Sequence, residues 1–310
     1  MKKSIPAVFV VLFLAFSLAV VSAQDNIQSR PALADNALQK YLNLSSLKMD
    51  ERRAMFAKMS NSDKALLFRL HLALQLVKRP SLSKEQSDFI LETVLSIDPE
   101  TYDRTKDQSK MRDTANGIQA RASLIFSSRE IFEIFASIGG DPADVDLFKK
   151  YADITAFTFS IKRRQEFSKL SSQDKSAVMK THLALQMAKR SISRDQIDFL
   201  FEAFRMASPD LYASMKGPDK AKTEAMLDNF GSRILDHFTK KDGIEMFLSL
   251  EGEDGGGGEH RPALCSCSTK SDYCGWWHNN SSCGNGGCDV TVGGCGTLLG
   301  YDCNALCHAN

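Results

Sequence analysis

The stretch RRAMFAKMSNSDKALLFRLHLALQLVKRPSLSKEQSDFILE, starting at Arg52, recurs as RRQEFSKLSSQDKSAVMKTHLALQMAKRSISRDQIDFLFE, starting at Arg163. The offset is 111 and falls to 110 after a one-residue deletion near Pro80. Self-similarity at a fixed spacing marks a repeated structural unit. The correspondence continues beyond this core: Pro99 and Tyr102 match Pro209 and Tyr212. At an offset of 112, Arg121, Phe126, Glu133, Phe135 and Ser137 match Arg233, Phe238, Glu245, Phe247 and Ser249. Two copies, 41–142 and 143–253, follow an N-terminal linker at 24–40.

Each copy reads as helical. Leu66, Leu67, Leu70, Leu74 and Val77 fall on one face of a helix; the second copy keeps Val178, Leu185 and Ala188 but places Thr181 on the stripe. Ser83 with Gln86 and Ser193 with Gln196 form the serine–x–x–glutamine start of a capped helix, and Ser60 with Asp63 and Ser171 with Asp174 mark the preceding helix. No segment sustains period-two alternation, and Gly139-Gly140-Asp141-Pro142 separates the copies. The expected fold is all-α: two tandem helical domains, each large enough to bury its own core, followed by a small disulfide-rich module with little regular secondary structure. His71 and His182, inside the shared HLALQ segment, read as partly buried structural residues, since neither has a second ligand at helical spacing.

At the amino terminus Lys2 and Lys3 precede an apolar run from Ala7 to Val21, and Val21-Ser22-Ala23 fits a signal-peptidase site, so 1–23 reads as a signal peptide cut after Ala23. The run is shorter than the roughly 18 to 20 residues a membrane span needs. Without Lys2 and Lys3, 37 of the 39 basic residues face 38 acidic ones. This balance leaves no basic footprint for nucleic acid.

All eight cysteines lie between Cys265 and Cys307: Cys265, Cys267, Cys274, Cys283, Cys288, Cys295, Cys303 and Cys307. In an exported chain an even, closely spaced set reads as four disulfides, whose pairing the sequence leaves open. Before them the segment 254–262, with four consecutive glycines from Gly255 to Gly258, reads as a protease-accessible linker, and Gly258 and Ala263 are the expected cleavage positions. The module at 263–310 is too poor in aliphatic residues to fold by burial alone, so crosslinks are expected to supply the difference. Zinc is the competing staple, because His278 and His308 lie near close cysteine pairs, but no Cys-x-x-Cys knuckle is present. No cofactor or metal is expected. A catalytic thiol would have to be left unpaired, and no nucleophile motif, phosphate loop or metal spacing points to an enzyme.

Cys265-Ser266-Cys267-Ser268-Thr269, then Ser271-Asp272-Tyr273-Cys274 and Gly294-Cys295-Gly296-Thr297, together with the count of eight cysteines, carry a resemblance. The tail resembles the bacteriocin fulvocin C-related proteins over roughly 263–310. The resemblance implies an extracellular four-disulfide peptide that kills or inhibits competing bacteria; it does not extend to the helical copies. From Pro262 onward Lys270 stands against Asp272, Asp289 and Asp302, a net charge of −2, so lysis by a cationic face is disfavoured. Trp276 and Trp277, adjacent indoles between Cys274 and Cys283, are the expected target contacts.

Two functional readings follow. In the first, the chain is a secreted antibacterial precursor whose helical copies serve as carrier or pro-region and whose tail is released by proteolysis. Its partners are signal peptidase, a processing protease and a bacterial cell-surface target. In the second, the tail stays attached as an adhesion or ligand-binding module.

Overall fold

A computed structural model describes residues 36–79, 81–103, 108–136, 138–139, 142–157, 160–250, 265, 267–271, 273–274, 281–284, 288 and 290–309. These form two compact units. One takes residues up to Asp146 together with Met187–Ser191, and the other takes Leu147–Gln186 together with Ile192–Asn310. The signal peptide with Ala23, and Gly258, Ala263, Trp276 and Trp277, lie outside the described residues.

The helical part is all-α, as expected. The first unit runs α1 (Asn36–Ser45), α2 (Met49–Lys58), α3 (Asn61–Lys78), α4 (Lys84–Ser96), a 3-10 turn (Pro99–Tyr102), α5 (Gln108–Ile125) and α6 (Ser128–Ile131), ending in a π-turn at Phe132–Ala136. Next in the chain come α7 (Pro142–Thr155), α8 (Ser160–Lys169), α9 (Ser172–Lys189), α10 (Arg194–Met206), α11 (Pro209–Ser214), α12 (Lys220–Ser232), α13 (Ile234–His237) and α14 (Lys240–Gly243), then a π-turn at Ile244–Leu248.

Helix starts fall where the serines predict. The Gln86 N–H donates to Ser83 Oγ at 3.1 Å while the Gln86 side chain accepts from the Ser83 N–H at 3.0 Å; Ser193 and Gln196 make the same reciprocal pair. Asp63 and Asp174 N–H groups donate to Ser60 and Ser171 at 3.1 Å each. In both boxes the glutamine Nε2 then reaches a distant backbone carbonyl, Ile125 at 3.1 Å or His237 at 2.7 Å.

α3 is the buried axis of the first unit, and its burial is broader than one stripe. Leu67, Leu70 and Leu74 are buried, but so are Phe68, Leu72 and Ala73, because α1, α4, the 3-10 turn and the π-turn all pack on this helix. Leu66 and Val77, at the edges, are only half-buried. Thr181 is fully buried on the corresponding stripe of α9 and spends its hydroxyl on the Ala177 carbonyl at 2.8 Å, which lets a polar residue occupy an apolar position.

The two HLALQ histidines are structural. His71 is buried, and burial, then the nearby Lys78 charge, depresses its pKa to about 3, so the ring is neutral. The Tyr41 hydroxyl meets Nδ1 at 2.8 Å, and Nε2 donates to the Ile134 carbonyl in the π-turn at 3.0 Å. His182 repeats the arrangement with Tyr151 at 2.9 Å and the Glu245 carbonyl at 2.7 Å. Each histidine thus ties the first helix of its unit to the last turn.

Candidate functional site in the disulfide module and the helices beneath it

The module builds its interior from sulfur. Bridges join Cys265 to Cys288, Cys267 to Cys283, Cys274 to Cys307 and Cys295 to Cys303, and no described cysteine is left free. They gather into two clusters: Cys265, Cys288, Cys295 and Cys303 in one, and Cys267, Cys274, Cys283 and Cys307 around Ala305 in the other.

Two short antiparallel ribbons carry these clusters. β1 (Ser281–Gly284) pairs with β4 (Leu306–Ala309) so that Cys283 stands opposite Cys307, and β2 (Thr291–Cys295) pairs irregularly with β3 (Tyr301–Cys303). Facing each other, Cys283 and Cys307 bond elsewhere, to Cys267 and Cys274, so the bridges fasten the ribbon to the segment before it. That segment also exchanges backbone bonds of 3.1 Å each way between Cys267 and Ala305. The Cys267, Cys274 and Cys283 sulfurs lie within 4.8 Å of one another, a spacing that could suit a metal. In this oxidised pairing their valences are already occupied by sulfur, whereas a metal needs thiolates.

The module's aliphatic residues do something different. Between β2 and β3 the chain turns through Gly296, Thr297, Leu298 and Leu299, with Gly296, Leu298 and Leu299 all at positive φ: 66°, 51° and 53°. Two successive leucines in the left-handed region are costly and persist only where their surroundings hold them. Thr297, Leu298, Leu299 and Tyr301 are each at most 1% exposed. The turn packs on α12 and on the Ile244–Leu248 π-turn, while β2 runs against α8.

Specific polar contacts fix this knuckle. The Tyr212 hydroxyl of α11 donates to the Leu298 carbonyl at 3.0 Å. Tyr301 places its hydroxyl against the Glu224 carbonyl at 3.0 Å and against the Asp228 carboxylate; burial first, then the Asp228 hydrogen bond, push its pKa well above the tyrosine range. Lys220 pairs with Asp302 at 2.8 Å, and the other Asp302 oxygen accepts from the Gly293 N–H at 3.0 Å.

Close approach is secured by glycines on both sides. A Cβ at Gly231 of α12 would fall on the Tyr273 hydroxyl and 2.7 Å from Thr297 Oγ1, two groups that are themselves hydrogen-bonded at 2.8 Å. On the module, a Cβ at Gly294 would sit 2.9 Å from the Arg164 carbonyl, and one at Gly300 would sit 2.7 Å from Leu227. Under this knuckle, between Arg164, Leu248, Tyr273 and the cystines, remains a cavity of about 20 Å³, room for no more than one water.

The structure therefore brings the eight sequence-predicted cysteines together and adds residues that sequence reasoning missed: Leu298, Leu299 and Tyr301 on the tail, and Gly231, Tyr212 and Asp228 beneath them. A hint was available in the LLGY run, which holds two of the module's four leucines side by side, and in the glycine at 231 inside an otherwise helix-forming segment. No protein-family model, curated protein or solved structure matches the chain.

Proposed function

We propose that the chain is a secreted, bacteriocin-like antibacterial precursor, read as a binding rather than a catalytic protein. A signal peptide ending at Ala23 exports it, the helical units act as carrier and pro-region, and proteolysis in the 254–262 linker frees a four-disulfide toxin that acts on a bacterial cell-surface target. Four disulfides suit an oxidising, extracellular setting. Among the described residues no helix is long and apolar enough to cross a membrane.

The observation that carries this reading is the burial of Leu298, Leu299 and Tyr301 beneath the helices. A module whose interior is cystine and whose leucines lie against a second domain has a sticky face to cover until it meets its target. That is a task for a pro-region.

The same contact favours a second reading, a secreted adhesion or ligand-binding protein whose tail stays in place. Intact-mass spectrometry of the producer's culture supernatant separates them. A fragment beginning near Ala263 that gains about 8 Da on reduction of four disulfides, and that inhibits bacterial growth, is the outcome expected of the precursor. A single species from Gln24 to Asn310 without inhibitory activity sinks the toxin reading in favour of the attached module.

A further inference from the structure

We infer that the surface formed by α8, α11, α12 and the Ile244–Leu248 π-turn is a binding site for the folded disulfide module as a separate molecule, so that the cut in the linker frees the tail covalently and leaves it seated until dilution or its target draws it off. The inference rests on the precursor reading insofar as it concerns a chain cut in its linker, and it makes the second helical unit a noncovalent inhibitor of the module.

A tether of this length supplies an effective concentration on the order of millimolar, enough to keep even a weak contact closed. The contact here has the features of a strong one. Its centre is two leucines and a tyrosine fully withdrawn from water, and buried aromatic and aliphatic anchors at the middle of a patch dominate binding energy. Its buried polar atoms are matched: the Leu298 carbonyl by Tyr212, the Tyr301 hydroxyl by Asp228 and Glu224, and Asp302 by Lys220 and Gly293. Complementary glycines let the backbones approach from both sides. The left-handed leucines add a further argument, because surroundings that hold a costly backbone conformation do so by favouring the docked state. The module's own cystine clusters leave these side chains outside, so no internal rearrangement is needed to offer them to a new partner.

The test uses the full chain with a specific protease recognition sequence in place of Gly255–Gly258. After purification with all four disulfides intact, the chain is cut and passed over gel filtration at about micromolar concentration, within the range tethering alone could not sustain. Co-elution of the two pieces is expected, and elution of the module on its own overturns the inference. Gly231→Gln, which puts a long side chain where Tyr273 and Thr297 sit, is expected to release the module on cutting. Should that variant misfold, Lys220→Ala on the surface is expected to speed dissociation at least several-fold at low salt. If the variants retain the module as firmly as the parent, the site is wrongly assigned. Growth inhibition by the separated module is measured apart from these readouts: a module that binds but does not inhibit defeats the toxin reading and leaves the binding site standing.

Discussion

The two helical units solve the same packing problem with the same contacts and then diverge at one face. Both tie a tyrosine of the first helix to a histidine and the histidine to a π-turn carbonyl. Both set an arginine over a phenylalanine and against a glutamate: Arg121 lies 5.0 Å over Phe89 and pairs with Glu92, and Arg233 lies 5.4 Å over Phe199 and pairs with Glu202. Both end in a phenylalanine cluster, Phe89–Phe126–Phe135 in one and Phe199–Phe238–Phe247 in the other. At the surface that carries the module the match thins: Tyr212 and Arg164 keep Tyr102 and Arg53 as counterparts, but the contacts from α12 have none. Where α12 has Lys220, Leu227, Asp228 and Gly231, the aligned positions of α5 are Gln108, Ala115, Asn116 and Gln119. The core is common property, and the docking face belongs to the second unit alone.

If the cores are equivalent, breaking them should cost alike. Replacing His71 or His182 by leucine takes the partner from a buried tyrosine hydroxyl and from a π-turn carbonyl, buried at Ile134 and half-buried at Glu245, a loss of about 2–4 kcal/mol in either unit. Chemical denaturation of the two variants checks this. A much smaller loss in one of them would mean that the shared geometry hides unequal energetics.

A second substitution should separate the units instead of equating them. Tyr301→Phe keeps the ring and removes the hydroxyl that faces Asp228 and the Glu224 carbonyl, a charge-assisted bond worth about 1.5–3 kcal/mol. Hydrogen exchange is expected to rise in the module and α12 while α3 and α4 keep their protection. Uniform deprotection of both units would contradict a docking face confined to one.

These two tests also mark the limit of what the sequence makes legible. The cores are readable because their determinants are local and periodic: the serine caps lie three residues from their partners, and the leucines recur at helical spacing. The histidine's acceptor is 63 residues away in either unit and is a backbone carbonyl, which no side-chain pattern encodes. The cysteine count predicts four bridges, yet their pairing depends on β1 lying against β4. The docking face is hardest to see, since it depends on what is missing, a side chain at 231, and on positive φ at two leucines, a conformation that leucine's identity argues against.

Smaller effects sharpen the equivalence. Ser83→Ala and Ser193→Ala each remove one half of a capping box, and each is expected to cost about 1 kcal/mol. Thermal unfolding of the pair checks the equality, and a loss confined to one variant would show that its helix start is held by tertiary contacts.

A last distinction between the units is a rise in stability with pH that belongs to the second. Lys175 is buried at the start of α9, with its Nζ 3.2 Å from where a Gly293 Cβ would stand and 5.8 Å from the Phe167 ring centre. Burial, then the charge of Lys216, lowers its pKa to about 8, against a weaker opposing pull from Asp302. Between this value and the ordinary 10.5 the unfolded chain holds a proton that the folded chain has given up, so stability rises with pH across that window and this group contributes no slope below it. Tyr102 in the first unit and Tyr212 and Tyr301 in the second act the other way, because burial raises all three above the ordinary 10.0 and the unfolded chain ionises first; their contribution falls from about pH 10 upward. Melting temperature is therefore expected to climb modestly from pH 8 toward 10 and then turn down. Lys175→Met should reduce the climb and leave the downturn, the remainder of the climb coming from Lys180, whose pKa burial also lowers. A climb left undiminished by Lys175→Met would remove this lysine from the distinction between the two units.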